Sequence, residues 1–147
     1  MKKYKQTVIP EVSTEHWKTL SLHEAQKKMM EYYRVKYPYT RTVTNQHLGI
    51  RVGFEADGVA KTCKGGKTYP EKCCLVEVLD KLIQYAEFNN FGDRKRTDKI
   101  NVLGYLNFKV KVKMNGKIEH IHLTIRITNR KDGRFTFHYS MSVNIWK

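Results

Sequence analysis

A run of alternating apolar and polar residues in the second half of the chain constrains the fold more than any other feature. Between residues 106 and 114 every second residue is apolar, and Asn or Lys fills the positions between, which is typical of a half-buried β-strand. Asn115-Gly116 follows, a dipeptide that favours a two-residue type I′ turn because both turn positions need a positive φ. Residues 121–127 alternate again. The sequence therefore predicts an antiparallel hairpin with one apolar and one polar face.

A two-residue turn also fixes the register, since a slip of one residue would exchange the two faces. Pairing Met114 with Lys117 places Lys109 opposite His122 on the polar face. Residues 135–145 alternate as well and predict a third antiparallel strand after a loop at residues 129–133. If Thr128 and Arg134 close this loop, three cross-strand rows are expected on the polar face: Lys109–His122–Ser140, Asn107–Thr124–His138 and Tyr105–Arg126–Thr136.

Two helices are predicted upstream of the hairpin. Ser21 and Glu24 form a capping box, and the helix they begin runs to about Arg34. Pro70 suits the start of a second helix, which an apolar stripe extends to about Phe88. The remaining segments are predicted as follows: residues 48–54 a short strand, 59–62 its candidate partner, 36–44 an irregular or edge segment, and 89–99 a polar loop. The predicted fold class is α+β, with two main helices packed on one face of an antiparallel sheet that ends in a C-terminal three-stranded meander.

The charge balance restricts the partners that such a chain would bind. The 147 residues include 28 Lys and Arg against 14 Asp and Glu, a formal net charge of +14. This charge favours polyanions, nucleic acid first and an anionic membrane surface second, although a basic balance that only maintains solubility stays possible. No run approaches the ~18 apolar residues of a membrane span, and residues 1–10 lack the apolar part of a signal peptide.

The cysteines bear on compartment and on metal binding. Cys63, Cys73 and Cys74 form an odd set with two adjacent members, which suits a reducing cytoplasm. Their spacing does not match a zinc site, and burial of Cys73 or Cys74 on a helix is the expected role. A cytoplasmic protein with no metal, no other cofactor and no membrane partner is therefore expected.

The polar face gathers groups that suit metal-independent cleavage of RNA. This reaction needs a general base, a general acid and cations that face the phosphate, and histidine suits both proton roles because its reference pKa is ~6.5. The catalytic candidates are His122 and His138 as the acid–base pair, Lys109 and Arg126 as cations, and Ser140 or Thr124 for orientation. The candidates for nucleic-acid binding are Lys61, Arg94, Lys95, Arg96, Lys111, Lys113 and His120. The sheet residues are also compatible with an ordinary solvated sheet face, and Arg94, Lys95 and Arg96 with an ordinary solvated loop. The sequence leaves both interpretations open.

Two stretches, "LGIRVGF…GVAKT" at residues 48–62 and "LVEVLDKLIQYAEFNNFGDRKRTDKINVLGYLNFKVKVKMNGKIEHIHLTI" at residues 75–125, resemble a domain of the large polyvalent proteins of phages and conjugative elements. That family is placed among the barnase–EndoU–colicin–RelE-like nucleases. The resemblance covers residues 45–147 and implies a compact α+β fold and a toxin-like, metal-independent endoribonuclease. It carries over no catalytic position by name, because these positions vary within the superfamily.

Under this resemblance residues 1–147 form a single domain, with residues 1–44 as an N-terminal helical cap and 45–147 as the RelE/barnase-like core. RNA is the favoured partner, and a cognate antitoxin or immunity protein is a further one. Two other classes stay open. One is a non-catalytic nucleic-acid-binding accessory protein in which Tyr105, Tyr139 and Trp146 stack on bases. The other is an inhibitor of a host protein.

Overall fold

The computed structural model describes residues 3–55, 70–98, 101–129, 135–139 and 144–146, the last two stretches as backbone apart from the side chain of Phe137. Two α-helices, one 3₁₀ helix and eight strands lie within these residues. In chain order they are β1 (Glu11–Val12), α1 (Leu22–Lys36), β2 (Thr42–Thr44), β3 (Arg51–Phe54), the 3₁₀ helix (Pro70–Val78), α2 (Leu79–Tyr85), β4 (Glu87–Asp93), β5 (Val102–Met114), β6 (Lys117–Asn129), β7 (Phe135–Tyr139) and β8 (Asn144–Trp146).

The strands form one mixed sheet built around the long pair β5 and β6. The hydrogen-bonded order is β1-β5-β6-β7-β3-β2, while β4 also pairs with β5 and β8 also pairs with β6. The β1–β5 and β3–β7 pairs are parallel, and the other pairs are antiparallel. The α+β class is therefore confirmed, but the expectation of an antiparallel sheet is wrong. Both parallel pairs join segments far apart in the sequence, which hairpin signals do not report.

The β5–β6 hairpin has the register that its turn predicts. Asn115 and Gly116 have φ values of 53° and 83°, as a type I′ turn requires. Met114 faces Lys117, Lys109 faces His122, and the same register continues to Gly104 and Ile127. It shifts by one residue only at the far end, where Val102 pairs with Thr128. Because the turn leaves no freedom of register, the apolar residues of both strands meet on one face.

One buried cluster joins this apolar face to the helices. Phe108, Ile121 and Leu123 of the hairpin are at most 1% exposed and share the cluster with Leu82 of α2 and Met29 of α1. Burying each such side chain stabilises the fold by about 1.5–3 kcal/mol. Helix α1 begins at the predicted capping box, in which Ser21 and Glu24 bond reciprocally. It buries Ala25, Met29 and Tyr33.

The second helix is shorter and less regular than the apolar stripe predicts. Residues 70–78 form a 3₁₀ helix and the α-helix ends at Tyr85, so its predicted extension to Phe88 is wrong. The Asn45 side chain donates to the carbonyls of Ile83 and Ala86, at 2.8 and 2.9 Å, and satisfies acceptors that the helix end leaves free. Phe88 belongs instead to strand β4, which pairs with β5 where the sequence predicts a loop.

The register of the third predicted strand is also wrong. Asn129 pairs with Phe135, so β7 is displaced by two residues from the predicted closure at Thr128 and Arg134. A five-residue loop does not impose a register as a two-residue turn does, and a shift of two residues keeps every side chain on its predicted face. Residues 144–146 then pair with β6 as a separate strand, β8.

Several smaller expectations can be compared with the structure. Residues 42–44 form the edge strand β2, and the predicted strand at 48–54 is confirmed for Arg51–Phe54. The candidate partner strand at 59–62 lies outside the described residues, as does Cys63. No helix in the described part of the chain is both long and apolar enough to cross a bilayer.

The two adjacent cysteines are buried, as expected, but differ in chemical state. Both are 0% exposed. Cys74 is a free thiol, and burial raises its pKa to about 12. Cys73 is disulfide-bonded. Disulfides are rare in reducing compartments, so the cysteines do not support the expected cytoplasmic location.

Candidate functional site

The face of β5 and β6 opposite the buried cluster carries the charged and polar residues, and we call it the polar face. Alternation along each strand places the following described residues there: Tyr105, Asn107, Lys109, Lys111 and Lys113 of β5, and His120, His122, Thr124 and Arg126 of β6. Between Tyr105 and Lys113 this face extends for about 27 Å at 3.4 Å per residue. Its two ends differ in how their charges are held.

At one end, which we call the paired end, Arg126 is bound to an acidic residue that directly follows strand β3. The Nη2 of Arg126 donates to the Oε1 of Glu55, and the side chains are 26% and 29% exposed. Glu55 reaches this position because β3 runs parallel to β7, so that Gly53 pairs with His138, and His138 pairs with Arg126. The Nε of Arg126 is buried and has no hydrogen-bond partner among the described residues. This guanidinium is therefore only partly satisfied.

A second carboxylate at the paired end holds the loop that follows β4. The hydroxyl of Tyr105 donates to Oδ2 of Asp98 at 2.7 Å, and the backbone N–H of Lys95 donates to the same oxygen at 2.6 Å. The Tyr105 hydrogen bond is the main cause that lowers the pKa of Asp98. Burial, followed by the hydrogen bond to Asp98, raises the pKa of Tyr105 to about 12. The Nζ of Lys95 lies 5.6 Å from the centre of the Tyr105 ring.

The middle of the polar face is mostly neutral. Asn107 donates to Oδ1 of Asn90 at 2.9 Å, and Thr124 donates to Oδ1 of Asn107 at 3.1 Å. These groups form a cross-strand row of amides and a hydroxyl over three strands. Beside this row, Lys109 lies 4.0 Å from Glu87, and both side chains are more than a third exposed. A pair so open to solvent contributes little to stability.

At the other end, which we call the lysine end, cations follow one another along β5. Lys109, Lys111 and Lys113 form the lysine column, whose members lie about 6.8 Å apart because they are two residues apart on an extended strand. Within the described ranges no carboxylate lies within 4.0 Å of Lys111 or Lys113. Neither lysine forms an ion pair within these ranges, although Glu11 of β1 lies opposite Lys113 in the sheet register.

The N-terminal segment fixes the backbone beneath the lysine column. The Gln6 side chain exchanges two hydrogen bonds of 2.8 Å with the backbone of Lys111, and the Lys113 N–H donates to the carbonyl of Pro10 at 2.8 Å. This segment thus occupies the edge of β5 beyond the end of β4. Its contacts hold the strand while both lysine side chains stay on the polar face.

The structure brings some predicted site residues together and separates others. His122 faces Lys109 and Asn144, His138 faces Arg126, and Thr136 faces Thr128. The third members of all three predicted rows, Lys109–His122–Ser140, Asn107–Thr124–His138 and Tyr105–Arg126–Thr136, are therefore wrong. On β6, Arg126, the partner of His138, is four residues from His122. This spacing corresponds to about 14 Å along the strand. One phosphate would not reach both positions easily. The catalytic roles of the two histidines stay predictions.

The other candidates divide between the two ends of the polar face or lie outside the description. Arg94 and Lys95 lie in the loop anchored by Asp98, and Lys111 faces His120 at the lysine end. Arg96 lies in the same loop as Arg94 and Lys95. Lys61 and Ser140 lie outside the described residues. In the part of the chain that the structure describes, no three His, Cys, Asp or Glu side chains converge on a possible metal site.

Sequence reasoning missed the two carboxylates of the paired end. Asp98 falls in the predicted polar loop at residues 89–99, and its closeness in sequence to Tyr105 is the signal that would place it near the start of β5. For Glu55 the sequence signal was weaker. Its position two residues after Gly53 places it on the Gly53 side of β3, but this does not indicate which cation it meets. Its pairing with Arg126 depends on the parallel β3–β7 contact, which no local pattern indicates.

Comparison with known proteins identifies the family. Residues 21–139 match the family model described as large polyvalent protein-associated domain 3, and the chain belongs to this family. The match begins at Ser21 and includes helix α1, which the resemblance had placed outside. No curated protein and no solved structure was found to match the chain. The polyvalent-protein part of the resemblance is thereby confirmed, and the nuclease part stays a prediction.

Proposed function

We propose that this member of the large polyvalent protein-associated domain 3 family binds nucleic acid, and RNA in the first place, through its polar face. The lysine column is the observation that carries the proposal. It sets three cations in a row on the polar face, which lies opposite the cluster that the hairpin buries together with the helices. The formal net charge of +14 adds long-range attraction for a polyanion.

The geometry of the row suits a phosphate backbone. Members of the lysine column repeat about every 6.8 Å, a spacing comparable with that of successive phosphates along an extended single strand. Lysines that neutralise phosphates release condensed counterions, and this release supplies most of the affinity of such complexes. The neutral row of Asn90, Asn107 and Thr124 lies next to the column and offers amide and hydroxyl groups to sugars or base edges.

Titration of binding with salt tests the proposal. The fluorescence anisotropy of a labelled single-stranded RNA would be followed with the full chain at several salt concentrations. Log K is expected to fall linearly with log salt, by about 0.7 for each phosphate neutralised on a single strand. A slope near zero, or no binding at about 50 mM salt, would overturn the proposal.

A second candidate function, metal-independent endoribonuclease, is favoured by the paired end. Arg126 is a cation suited to a phosphate, and His138 is its cross-strand neighbour in the β7 register. In this reaction a base removes the proton of the 2′-hydroxyl, the 2′-oxygen attacks phosphorus, and an acid protonates the departing 5′-oxygen. His138 is the proton carrier nearest to Arg126 in the register, and Arg126 would stabilise the charge that develops on the phosphorane oxygens.

Incubation of the purified protein with RNA in EDTA tests this second candidate. Cleavage is expected to persist in EDTA and to leave a 2′,3′-cyclic phosphate on one product. RNA with 2′-O-methyl groups is the matched control, because it keeps the phosphates but lacks the nucleophile. Intact unmodified RNA after long incubation would leave binding without catalysis as the function of the polar face. Equal cutting of the methylated RNA would exclude the mechanism.

A further inference from the structure

We infer that Glu55 occupies, in the free protein, the place on Arg126 that a phosphodiester of bound nucleic acid takes. The paired end is then an anion-exchange site whose resident anion is part of the chain. This inference rests on the proposed function, since it names how one phosphate of the same ligand is held. It adds a role for Glu55, a residue outside every predicted site.

The first support is the state of Arg126. A guanidinium offers five donors in a planar fork, which matches the paired oxygens of a carboxylate or of a phosphate. Glu55 accepts from Nη2, while Nε is buried and has no hydrogen-bond partner in the described part of the chain. A phosphate has more acceptor oxygens than a carboxylate and can serve several donors of the fork at once.

The second support is that the Glu55 side chain can leave Arg126 without disrupting the adjoining strand β3. Its side chain is 29% exposed, so solvent and ligand reach the ion pair from the polar face. Its backbone is held independently, because the hydroxyl of Tyr33 donates to the Glu55 carbonyl. Tyr33 is 1% exposed and belongs to the buried cluster. A change of side-chain rotamer therefore releases Arg126 while β3 stays in place.

The third support is the charge that remains once Glu55 has left. The other carboxylate of the paired end, Asp98, already accepts from the Tyr105 hydroxyl and from the Lys95 backbone, and both bonds go to its Oδ2. Lys95 itself lies over the Tyr105 ring, across the strand from Arg126. The site without Glu55 is thus locally positive, and a phosphodiester restores the balance.

The molecule contains a natural control for this inference. Glu87 is the other carboxylate paired with a cation on the polar face, and it lies 4.0 Å from Lys109 with both side chains more than a third exposed. Removing Glu55 or Glu87 changes the net charge of the same face by the same amount. The two differ in that Glu55 makes a direct hydrogen bond to the cation it neutralises. If only long-range electrostatics matters, the two substitutions should change RNA affinity equally. If Glu55 and a phosphate exchange on Arg126, the substitution of Glu55 should raise RNA affinity more than the substitution of Glu87.

The experiment compares the affinities of Glu55→Gln and Glu87→Gln for one labelled single-stranded RNA at low salt. Glu55→Gln is expected to tighten binding by about five- to tenfold, because the phosphate no longer competes with a charge-assisted hydrogen bond. Glu87→Gln is expected to tighten it by about twofold or less, since exposed pairs are weak. Thermal unfolding of each variant checks the fold, and Glu55→Ala replaces Glu55→Gln if the latter does not unfold cooperatively.

A double-mutant cycle then ties the gain to Arg126. In an Arg126→Ala background, Glu55→Gln is expected to tighten binding no more than Glu87→Gln does, because its partner has gone. Equal gains from the two glutamate variants, or a gain from Glu55→Gln that survives Arg126→Ala, would overturn the inference while RNA binding stands. If neither the wild type nor any glutamate variant binds RNA at low salt, the proposed function itself fails, and the inference with it.

Discussion

The two ends of the polar face lie on the same pair of strands and still differ in character. At the paired end Arg126 and Tyr105 each contact a carboxylate, Glu55 and Asp98 respectively. At the lysine end Lys111 and Lys113 have no carboxylate within 4.0 Å among the described residues. The hairpin alternates in the same way at both ends, so the hairpin alone does not explain the difference.

The neighbours of the hairpin explain it. Residues at the end of β3 and in the loop after β4 bring carboxylates into contact with the paired end. The N-terminal segment contacts the lysine end through the Gln6 amide and the Pro10 carbonyl, and its Glu11, although opposite Lys113, forms no ion pair of 4.0 Å or less with it among the described residues. A cation with an acidic partner is fixed in position, and a cation without one attracts any anion nearby. Under the proposed function, the paired end would position a single phosphate, and the lysine end would attract the nucleic-acid backbone without fixing it.

The largest expected difference concerns catalysis under the second candidate function. His138→Ala should lower the rate of RNA cleavage by about 10²–10⁴, the usual contribution of a general acid or base, because its position faces Arg126. His122→Ala should lower it by about tenfold or less, because His122 lies in the row of Lys109. Initial rates in EDTA, with RNA affinity measured in parallel, check both values. Equal losses would mean that both histidines serve one phosphate and that the two ends are not separate.

The next effect concerns binding at the lysine end. Replacing Lys109, Lys111 and Lys113 together by Gln should weaken binding to single-stranded RNA by about 10- to 100-fold at low salt and reduce the slope of log K against log salt by about 2. The control replaces Lys18, Lys27 and Lys81, three exposed helix or turn lysines, by Gln and changes the net charge equally. If both triple variants lose affinity equally, total charge and not the column is what nucleic acid detects.

A third difference concerns backbone strain at the two ends of β5. Gly104 has a φ of +157°, and an added Cβ would lie 2.7 Å from the Gly92 carbonyl oxygen. Gly104→Ala should therefore lower the free energy of unfolding by about 2–4 kcal/mol. Gly116 has a φ of +83° with open space around it, so Gly116→Ala should cost about 1 kcal/mol. Denaturant unfolding measures both, and a larger loss at Gly116 would contradict this ranking.

The smallest expected effect is the pH dependence of the loop at the paired end. The pKa of Asp98 in the folded protein is lowered from its ordinary value of 3.8, chiefly by the Tyr105 hydrogen bond. A lowered pKa means that the contribution to stability is complete above 3.8 and is lost as pH falls through the folded value. Asp98→Asn should thus unfold at a lower temperature than the wild type near neutral pH, and this gap should narrow in acid. A gap that stays constant with pH would show that the Asp98 charge is not involved.

Short-range patterns predicted a large part of the fold. The capping box at Ser21 and Glu24 predicted the start of α1, and Asn115-Gly116 predicted the β5–β6 register from Met114–Lys117 to Tyr105–Arg126. Both predictions concern residues close in sequence, where the turn or cap leaves one arrangement. The candidate site followed from the hairpin only in part. The Lys109–His122 and Tyr105–Arg126 pairs were predicted, whereas the position of His138 was not.

The sequence by itself thus determined the two faces of the central hairpin, and with them which cations share the polar face. Alternation and a two-residue turn are local properties, and they allow one register for β5 and β6. Only the tertiary structure decided which partners those cations have. A shift of β7 by two residues changes the cross-strand partners but keeps every side chain on the same face, so alternation does not distinguish His138 opposite Thr124 from His138 opposite Arg126. The parallel β3–β7 pairing that brings Glu55 to Arg126 joins segments more than eighty residues apart, and its free energy depends on the packing of the whole sheet.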